Sequence, residues 1–376
     1  MDDLNQNPKL GSADRPNSYI GRSVPRERAK KLLEGKGKYV DDILLPRMVH
    51  LSYVRSPFAH AKIKSINTEN AKKIPGVLNV FTIDDIEKVC TPWQGVLGHL
   101  GEMRSPTQYP LAKDVVRWQG EPVAVVVANK RAVAEDALEL VEIDYEDLDA
   151  QLDMETAMDK STKVIHDDLG NNLFWTRTVN QGDVIEAFKQ SHIVEEVTLD
   201  FARHTGVTLE TRAIVADWDS SEERMTIYHN GQAPHMMQSI IAKHLNISEG
   251  LVRIISCDVG GSFGIKVHVY PDEMVTVAVS KLLKRPVKFV ADRLESYSTD
   301  IHSRCHKISG KIGVDDKGKI LAFEIDDLSG IGPFSVYPRT SAIETNQVLN
   351  LSAASYVVPN YKAKGTVVFQ NKTPMC

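Results

Sequence analysis

Cysteine is scarce in this sequence. Its four cysteines, Cys90, Cys257, Cys305 and Cys376, form no CxxC or CxxxC spacing, which excludes iron–sulfur and structural zinc sites built from local cysteine clusters. So few cysteines in a chain of 376 residues also argue against a disulfide framework. Each cysteine is interpreted as a small, unreactive side chain, and no metal site built from protein ligands is predicted.

Long hydrophobic runs and a strong excess of one charge are also missing. No stretch approaches the roughly eighteen consecutive apolar residues of a membrane span, and the first twenty residues are too polar for a signal peptide. The net charge of −5, with both signs interspersed, provides no basic surface for nucleic acid. We expect a cytoplasmic protein without a nucleic-acid partner.

The length of 376 residues exceeds what one hydrophobic core usually organises, which predicts two domains. Helical and strand patterns mix without a strict βαβ alternation, which favours the α+β class. The predicted segments are a flexible arm at 1–20, a first domain at 21–150, a linker at 151–170 and a second domain at 171–376.

Several stretches of the first domain have clear patterns. EPVAVVVA is typical of a strand covered on both faces, NKRAVAEDALELV of a helix, and VEIDYEDL of a further strand. A basic run from Arg22 to Lys31 predicts a solvated surface helix. Arg55, His60 and Glu121 could suggest catalysis, but they cluster near predicted turns, and we expect structural roles for them.

In the second domain, GDVIEAFKQSHIVEEVTL predicts a helix and then a strand, and HTGVTLETRAIVADWD predicts two short strands around Glu210. MTIYHNGQAPHMMQSIIAKHLNI predicts a strand, a turn that contains Gln232, and a helix. SGKIGVDDKGKILAFEIDD predicts a β-hairpin.

The most informative stretch is Leu251–Asp292, which predicts a strand, a glycine turn, a helix and a second strand. Gly260, Gly261 and Gly264 remove side chains at the turn, so backbone N–H groups there can approach a bound anionic group. The turn is not a nucleotide motif, because it matches neither GxxxxGK[ST] nor GxGxxG. On pattern alone, a cofactor loop and an ordinary tight connection both remain open.

A resemblance to a known family favours the cofactor loop. GGSFGIK, with NGQAPH before it and PDE after it, resembles the molybdenum-cofactor loop of the xanthine dehydrogenase, aldehyde oxidase and carbon monoxide dehydrogenase large subunits. GKGKYVDDI, VRSPFAHAKI and the run from WQGEPVAVVV to EIDYEDL resemble the α/β-hammerhead domain of the same family. The fold class implied is α+β, with a hammerhead domain followed by the first molybdopterin-binding domain, which is incomplete relative to the family.

The resemblance also implies cofactors and partners. The family hydroxylates small molecules with a molybdenum–molybdopterin cofactor, often in a pterin dinucleotide form, and the cofactor supplies the difficult chemistry. Electrons pass to 2Fe–2S clusters in an iron–sulfur small subunit and then to FAD in a medium subunit. The implied partners are these two subunits, a C-terminal cofactor half in the same or a separate chain, and a small-molecule substrate.

Five residues match the cofactor-binding positions of the family. Gln232 matches the glutamine whose amide approaches the metal's oxo ligand, and its amide can donate two hydrogen bonds without adding charge. Gly261, Ser262, Phe263 and Gly264 match the loop that lies against the cofactor. Lys266 and Glu273 are left out of the site, because a lysine after a glycine turn is usually solvated and the helix dipole alone explains Glu273.

Two departures from the family pattern narrow the function. Val267 stands where purine-oxidising members have a glutamate, which disfavours a purine and leaves an aldehyde, another N-heterocycle or carbon monoxide. The active-site arginine and the general-base glutamate are expected beyond Cys376, so no catalytic residue is assigned to this chain. We therefore expect an enzyme subunit that is inactive alone; the alternative is an inert scaffold or truncated subunit that keeps the fold.

Overall fold

The structure is a computed structural model that describes Tyr19, residues 23–26 and residues 29–376. The chain forms two compact units, Met1–Lys38 and Tyr39–Cys376. In the first unit the described residues include one short helix, α1 (Ala29–Leu33), which has no buried residue. Apart from Tyr19, the predicted flexible arm lies outside the described residues, as do Arg22 and Arg28 of the predicted basic helix.

The second unit contains all of the described strands and the remaining helices. The strands are β1 (Val49–Arg55), β2 (Ala61–Asn67), β3 (Val77–Phe81), β4 (Val115–Val116), β5 (Pro122–Ala128), β6 (Glu142–Asp147), β7 (Leu173–Gln181), β8 (Ile193–Phe201), β9 (Ala213–Asp219), β10 (Arg224–His229), β11 (Val252–Ser256), β12 (Val287–Val290), β13 (His306–Val314), β14 (Ile320–Ile331) and β15 (Asn360–Phe369). The helices are α2 (Glu69–Lys72), α3 (Ile83–Ile86), α4 (Arg131–Leu138), α5 (Val184–Gln190), α6 (Pro234–His244), α7 (Pro271–Leu283), α8 (Arg293–Thr299) and α9 (Ile343–Leu351).

A seven-stranded sheet with the order β11-β10-β9-β12-β1-β5-β3 forms the centre of this unit. Its strands come from both predicted domains, because β1 pairs in parallel with β12 through Val49 and Val287. Strand β5 is buried along its whole length, as its continuous apolar run predicts. One face of β5 packs on α4, and its other face joins the main core, to which Met274 and Val277 of α7 also belong.

Two further sheets complete the fold. The smaller has the order β4-β2-β6, and the larger has the order β7-β15-β14-β13-β8. The predicted hairpin is confirmed, because β13 and β14 pair antiparallel along their length. Strands β14 and β15 are parallel, and α9 lies between them in the chain.

The predicted order of elements in Leu251–Asp292 is confirmed by β11, α7 and β12. Of the two strands predicted around Glu210, the second is confirmed by β9, which begins at Ala213, and the first is wrong, because Glu210 and the residues before it lie in a loop. The backbone N–H of Glu210 does not take part in strand pairing, because it donates to the carbonyl of Gly260 at 3.1 Å. Helix α9 was not predicted from the sequence.

The predicted linker at 151–170 has little regular structure, but the side-chain amides of Asn172 and Asn371, outside the segment, hold it in place. The backbone N–H of Gln151 donates to Asn371 Oδ1 at 2.9 Å, and Asn172 Nδ2 donates to the carbonyl of Lys163 at 2.8 Å. These bonds fix the segment against the larger sheet. None of the helices in the described part of the chain has the length and hydrophobicity of a membrane span.

Candidate cofactor site

The glycine turn has an unusual backbone. Gly261 and Gly264 have φ angles of +102° and +86°, and Phe263 between them has φ +50°. Glycine tolerates the left-handed region, whereas a bulky residue there is a backbone outlier of the kind that clusters at ligand sites. The side chain of Phe263 is 75% exposed. The turn therefore holds a large aromatic side chain outward at a cost in backbone strain.

The inner side of the turn is tightly packed and the outer side is open. A Cβ atom on Gly260 would lie 2.5 Å from Cβ of Glu210, so only glycine fits there. Around Gly264, in contrast, no described heavy atom lies within 4 Å of an added Cβ. The backbone N–H groups of 261–264 donate to no acceptor in the described part of the chain.

A buried ion pair fixes the inner side. Oε2 of Glu210 accepts the N–H of Gly260 at 2.7 Å and lies 3.2 Å from Nζ of Lys266. The expectation that Lys266 is solvated is wrong, because its side chain is only 1% exposed. Burial lowers the pKa of the Lys266 ammonium group, and the Glu210 carboxylate opposes that shift. The partner that stabilises this buried charge lies too far back in the sequence to be found by local pattern.

Gln232 joins the turn through the backbone of Lys266, whose carbonyl accepts the Gln232 N–H at 2.9 Å. Gln232 itself is exposed, just before Pro234 at the start of α6. Ser262 Oγ is buried without a hydrogen-bond partner among the described residues. The structure thus places Gln232 beside the turn that contains Gly261, Ser262, Phe263 and Gly264. Their role in cofactor binding remains a prediction.

Behind the turn lies a buried charge network that the sequence analysis missed. Arg212, which is fully buried, donates to both carboxylate oxygens of Asp272 at 2.6 and 3.0 Å and to Asp300 at 2.6 Å. Arg55 donates to the same Asp272 at 3.0 Å, and the Arg212 guanidinium lies 3.7 Å from the ring centroid of Tyr270. Burial acts to raise the pKa of Asp272, but the neighbouring arginines outweigh burial and lower it. The network fixes the start of α7.

Glu273, the next residue of α7, is also buried. Its Oε2 lies 3.3 Å from Nε2 of His229, and its Oε1 lies 3.7 Å from Nη1 of Arg212. The explanation of Glu273 by the helix dipole alone is therefore wrong, because a surface carboxylate would not need these buried partners. Glu273 belongs to the support of the turn.

The three polar residues of the first domain have structural contacts, as expected. Arg55 donates from Nε to Glu295 Oε1 at 2.9 Å, in addition to its bond with Asp272. Nδ1 of His60 bonds the carbonyl of Asp149 at 2.8 Å. Glu121 accepts the backbone N–H of Arg117 at 2.6 Å, and burial raises the Glu121 pKa to about 8.

The cysteines form no disulfide among the described residues. Burial raises the pKa of both Cys90 and Cys376 to about 12, which keeps these two thiols neutral and unreactive. In the described part of the chain, no three His, Cys, Asp or Glu side chains are grouped as a metal ligand set would be.

The fold and the turn together define an α+β protein with an open, glycine-rich turn between β11 and α7. Residues 34–149 match the family model "Aldehyde oxidase and xanthine dehydrogenase, a/b hammerhead domain", and residues 165–376 match "Molybdopterin cofactor-binding domain". The chain belongs to the family of molybdopterin-dependent oxidoreductase large subunits, which confirms the resemblance found in the sequence.

Similar proteins agree with this assignment. The nicotine 6-hydroxylase large subunit of Paenarthrobacter nicotinovorans is 35% identical over an aligned length of 377 positions, and the match covers 98% of this chain and 45% of that protein. The solved structure of quinoline 2-oxidoreductase from Pseudomonas putida 86 has a TM-score of 0.89 at 31% identity, covering 95% of this chain and 45% of that one.

The chain thus spans about half the length of these relatives. This chain spans a larger share of another relative, the nicotinate dehydrogenase large molybdopterin subunit of Eubacterium barkeri, which is 28% identical. There the match covers 94% of this chain and 79% of the relative. A relative of comparable length to this chain therefore exists within the family.

Proposed function

We propose that this chain provides the first half of the molybdopterin site of a molybdenum hydroxylase. Gln232 and the turn formed by Gly261, Ser262, Phe263 and Gly264 would face the cofactor. The observation that supports this proposal most directly is the open outer side of the turn. There, Phe263 is 75% exposed and Gly264 has free space beyond its Cα. A turn that served only to connect β11 to α7 would not need to hold an aromatic side chain outward.

The residues present fit a molybdopterin group. The N–H groups of 261–264 lack acceptors in the described part of the chain, and such groups suit anionic oxygens. The Gln232 amide can donate to a neutral or partly charged oxygen without adding charge of its own. When bound, the cofactor would supply the hydroxylation chemistry. The chain's own contribution would be to bind and orient it and to limit the access of water.

The remaining parts of the enzyme would lie in polypeptide that corresponds to the rest of the relatives' length, in the same chain or in a separate one. The active-site arginine and the general-base glutamate would lie in a second cofactor half, and electrons would leave through an iron–sulfur small subunit to an FAD medium subunit. This chain alone would then be inactive.

Val267 guides the proposed choice of substrate. An isopropyl group at this position cannot accept a hydrogen bond from a heterocycle as a carboxylate can, which disfavours a purine. The substrate would be an aldehyde, another N-heterocycle or carbon monoxide. The similarity to oxidoreductases named for nicotine and quinoline puts N-heterocycles first in an assay.

The proposal is tested by purifying the chain with the products of the neighbouring genes and measuring bound molybdenum and pterin. We expect both in the assembly, whereas an assembly that lacks both would refute the proposal. An assembly that contains both but oxidises none of the three substrate classes would favour the second candidate, an inert scaffold or truncated subunit.

A matched pair of glycine variants separates cofactor binding from folding. Gly264 and Gly318 have φ angles of +86° and +79°, and neither has a described heavy atom within 4 Å of an added Cβ. Valine strains the backbone similarly at both positions, but only Gly264→Val fills the outer side of the turn. We expect Gly264→Val to lower the molybdenum and pterin content at least tenfold relative to Gly318→Val. Equal content in the two variants would contradict the assigned site.

A further inference from the structure

The five-stranded sheet has two chemically different faces. Along β8, Val197, Leu199 and Phe201 point to one face, and Glu196 and Asp200 point to the other, because side chains alternate along a strand. The strand registers extend both faces onto β13 and β14. The apolar face continues through Ile308, Ile312, Phe323 and Ile325, and the charged face through Lys307, Lys311, Glu324 and Asp326.

Helix α9 covers only one side of the apolar face. Thr345 and Leu349 of α9 pack against Gly365 of β15, where an added Cβ would lie 2.4 Å from the threonine side chain. The hydroxyl of Tyr361 on β15 also donates to the carbonyl of Leu349 at 2.8 Å. The helix lies mainly over β15, β14 and β7, and it meets β13 where Glu344 lies 3.6 Å from Nε2 of His306. Its neighbour Ser352 stands at the edge of an open groove beside β8 and β13.

The outer part of this face is formed by the exposed Val197, Leu199 and Phe201 of β8 together with the half-buried Ile308 and Phe323, and it is termed the β8 face. It borders a groove of about 400 Å³. Val197 is 54% exposed and Leu199 is 48% exposed, although each lies in a regular strand beside other apolar side chains. An antiparallel sheet normally turns its apolar face to a core, and contiguous exposed apolar side chains indicate an interaction surface.

Strand β8 is also an edge strand. Among the described strands it pairs only with β13, so its second edge has unpaired N–H and C=O groups. Proteins usually shorten, cover or interrupt such edges, but β8 runs for nine residues without proline or glycine. An open edge next to an apolar face can receive a further strand or a packed segment.

A second copy of this chain fits the β8 face poorly. Glu195 lies on the same face as Val197 and opposite Ile312 of β13, which provides no charge to pair with it. Self-association through this face would bring a second Glu195 carboxylate into an apolar contact, where an unpaired charge is costly. A polypeptide of different sequence can place a lysine or arginine there instead.

The greater length of the relatives provides a candidate occupant. More than half of the nicotine 6-hydroxylase large subunit has no counterpart in this chain, since the match covers 45% of that protein. We infer that the β8 face binds the polypeptide that corresponds to this second half. The inference rests on the proposed function, and it adds the surface through which the two halves hold together, separate from the turn around Phe263.

Cysteine labelling tests the inference. Val197→Cys places a thiol on the β8 face, and Thr198→Cys is the matched control one residue away on the opposite, charged face. Both variants are treated with a maleimide, alone and in the molybdenum-containing assembly purified as above, and labelling is followed by peptide mass spectrometry. We expect the assembly to slow labelling of Val197→Cys at least tenfold and to leave labelling of Thr198→Cys within about twofold.

Labelling of Val197→Cys at the same rate in a molybdenum-containing assembly would overturn the inference and leave the proposed function intact. Protection of Val197→Cys in an assembly that lacks molybdenum would overturn the proposed function and leave the inference about the β8 face intact. Protection that increases with the concentration of the isolated chain would also overturn the inference, since it would assign the β8 face to a second copy. As a second measure, Val197→Glu should weaken recovery of the second half at least tenfold more than Thr198→Glu.

Discussion

Nζ of Lys266 lies 3.2 Å from Oε2 of Glu210, and the same oxygen accepts the N–H of Gly260 at 2.7 Å. One carboxylate thus joins two ends of the glycine turn, and the carbonyl of Lys266 connects that turn to Gln232. The relative position of Gln232 and Phe263 depends on this buried pair, although neither Lys266 nor Glu210 is proposed to touch the cofactor.

The first prediction concerns Lys266→Met, which keeps the length of the side chain and removes its charge. The Glu210 carboxylate would lose its buried partner, and we expect the free energy of unfolding to fall by about 2 kcal/mol. Urea denaturation measures this change. Amide hydrogen exchange should also show faster exchange at Gly260. The control is Lys189→Met, whose exposed pair with Glu186 should change stability by less than about 0.5 kcal/mol. Equal effects of the two variants would contradict a supporting role for Lys266.

The second prediction concerns Arg212→Met, which leaves Asp272 and Asp300 without their main buried partner. Because removal of one partner leaves uncompensated buried charge, we expect a loss on the order of 3 to 5 kcal/mol. Thermal unfolding measures it. Arg131→Met, which breaks a surface pair with Glu135, is the comparison and should change little. A loss below about 1 kcal/mol for Arg212→Met would show that the network does not hold α7 in place.

These two variants also mark how far sequence could predict the site. The turn itself was predictable, because glycine at 261 and 264 is a local requirement of positive φ. The support of the turn was not, because Glu210 and Lys266 are 56 residues apart and Arg212 and Asp272 are 60 residues apart. Residues so far apart in the sequence come into contact only in the folded structure. A charged residue therefore gives the same local pattern whether it is solvated or paired in the core.

The secondary-structure elements show the same contrast between features set by local sequence and features set by distant contacts. The hairpin β13–β14 and the buried strand β5 were predicted correctly, since alternation and continuous apolar runs are local properties. The loop at Glu210 was predicted as strand, but its backbone N–H bonds the carbonyl of Gly260, which lies 50 residues away in sequence. The exposure of the β8 face could not be predicted from the sequence, because alternation in β8 predicts an apolar face without indicating what covers it.

The third prediction concerns pH. Burial acts to lower the pKa of His306, but the hydrogen bond of its Nδ1 with Asp327 at 2.8 Å and the Glu344 carboxylate 3.6 Å from its Nε2 outweigh burial and raise the pKa to about 9. Because the folded-state pKa exceeds the unfolded value of about 6.5, this histidine stabilises the fold fully below pH 6.5. The contribution, on the order of 3 kcal/mol, is lost as pH rises toward 9. Unfolding free energies from pH 6 to 9.5 should fall for the native chain and change less for His306→Gln. Parallel curves for the two proteins would contradict the assignment.

The last prediction concerns Gln232→Ala in the complete assembly. Gln232 is exposed and its backbone N–H, which holds the turn, remains in the variant, so we expect a change in stability of less than about 0.5 kcal/mol. If its amide donates to the cofactor as proposed, oxidation should slow by about tenfold to a hundredfold, because one well-placed donor contributes roughly 1.4 to 2.7 kcal/mol. Steady-state turnover per bound molybdenum measures the effect. Gln238→Ala is the control, since that glutamine bonds the carbonyl of Val252 rather than facing the turn, and it should leave turnover nearly unchanged. Unchanged turnover in Gln232→Ala at full molybdenum content would remove Gln232 from the site, whereas a loss of molybdenum would give it a role in retaining the cofactor.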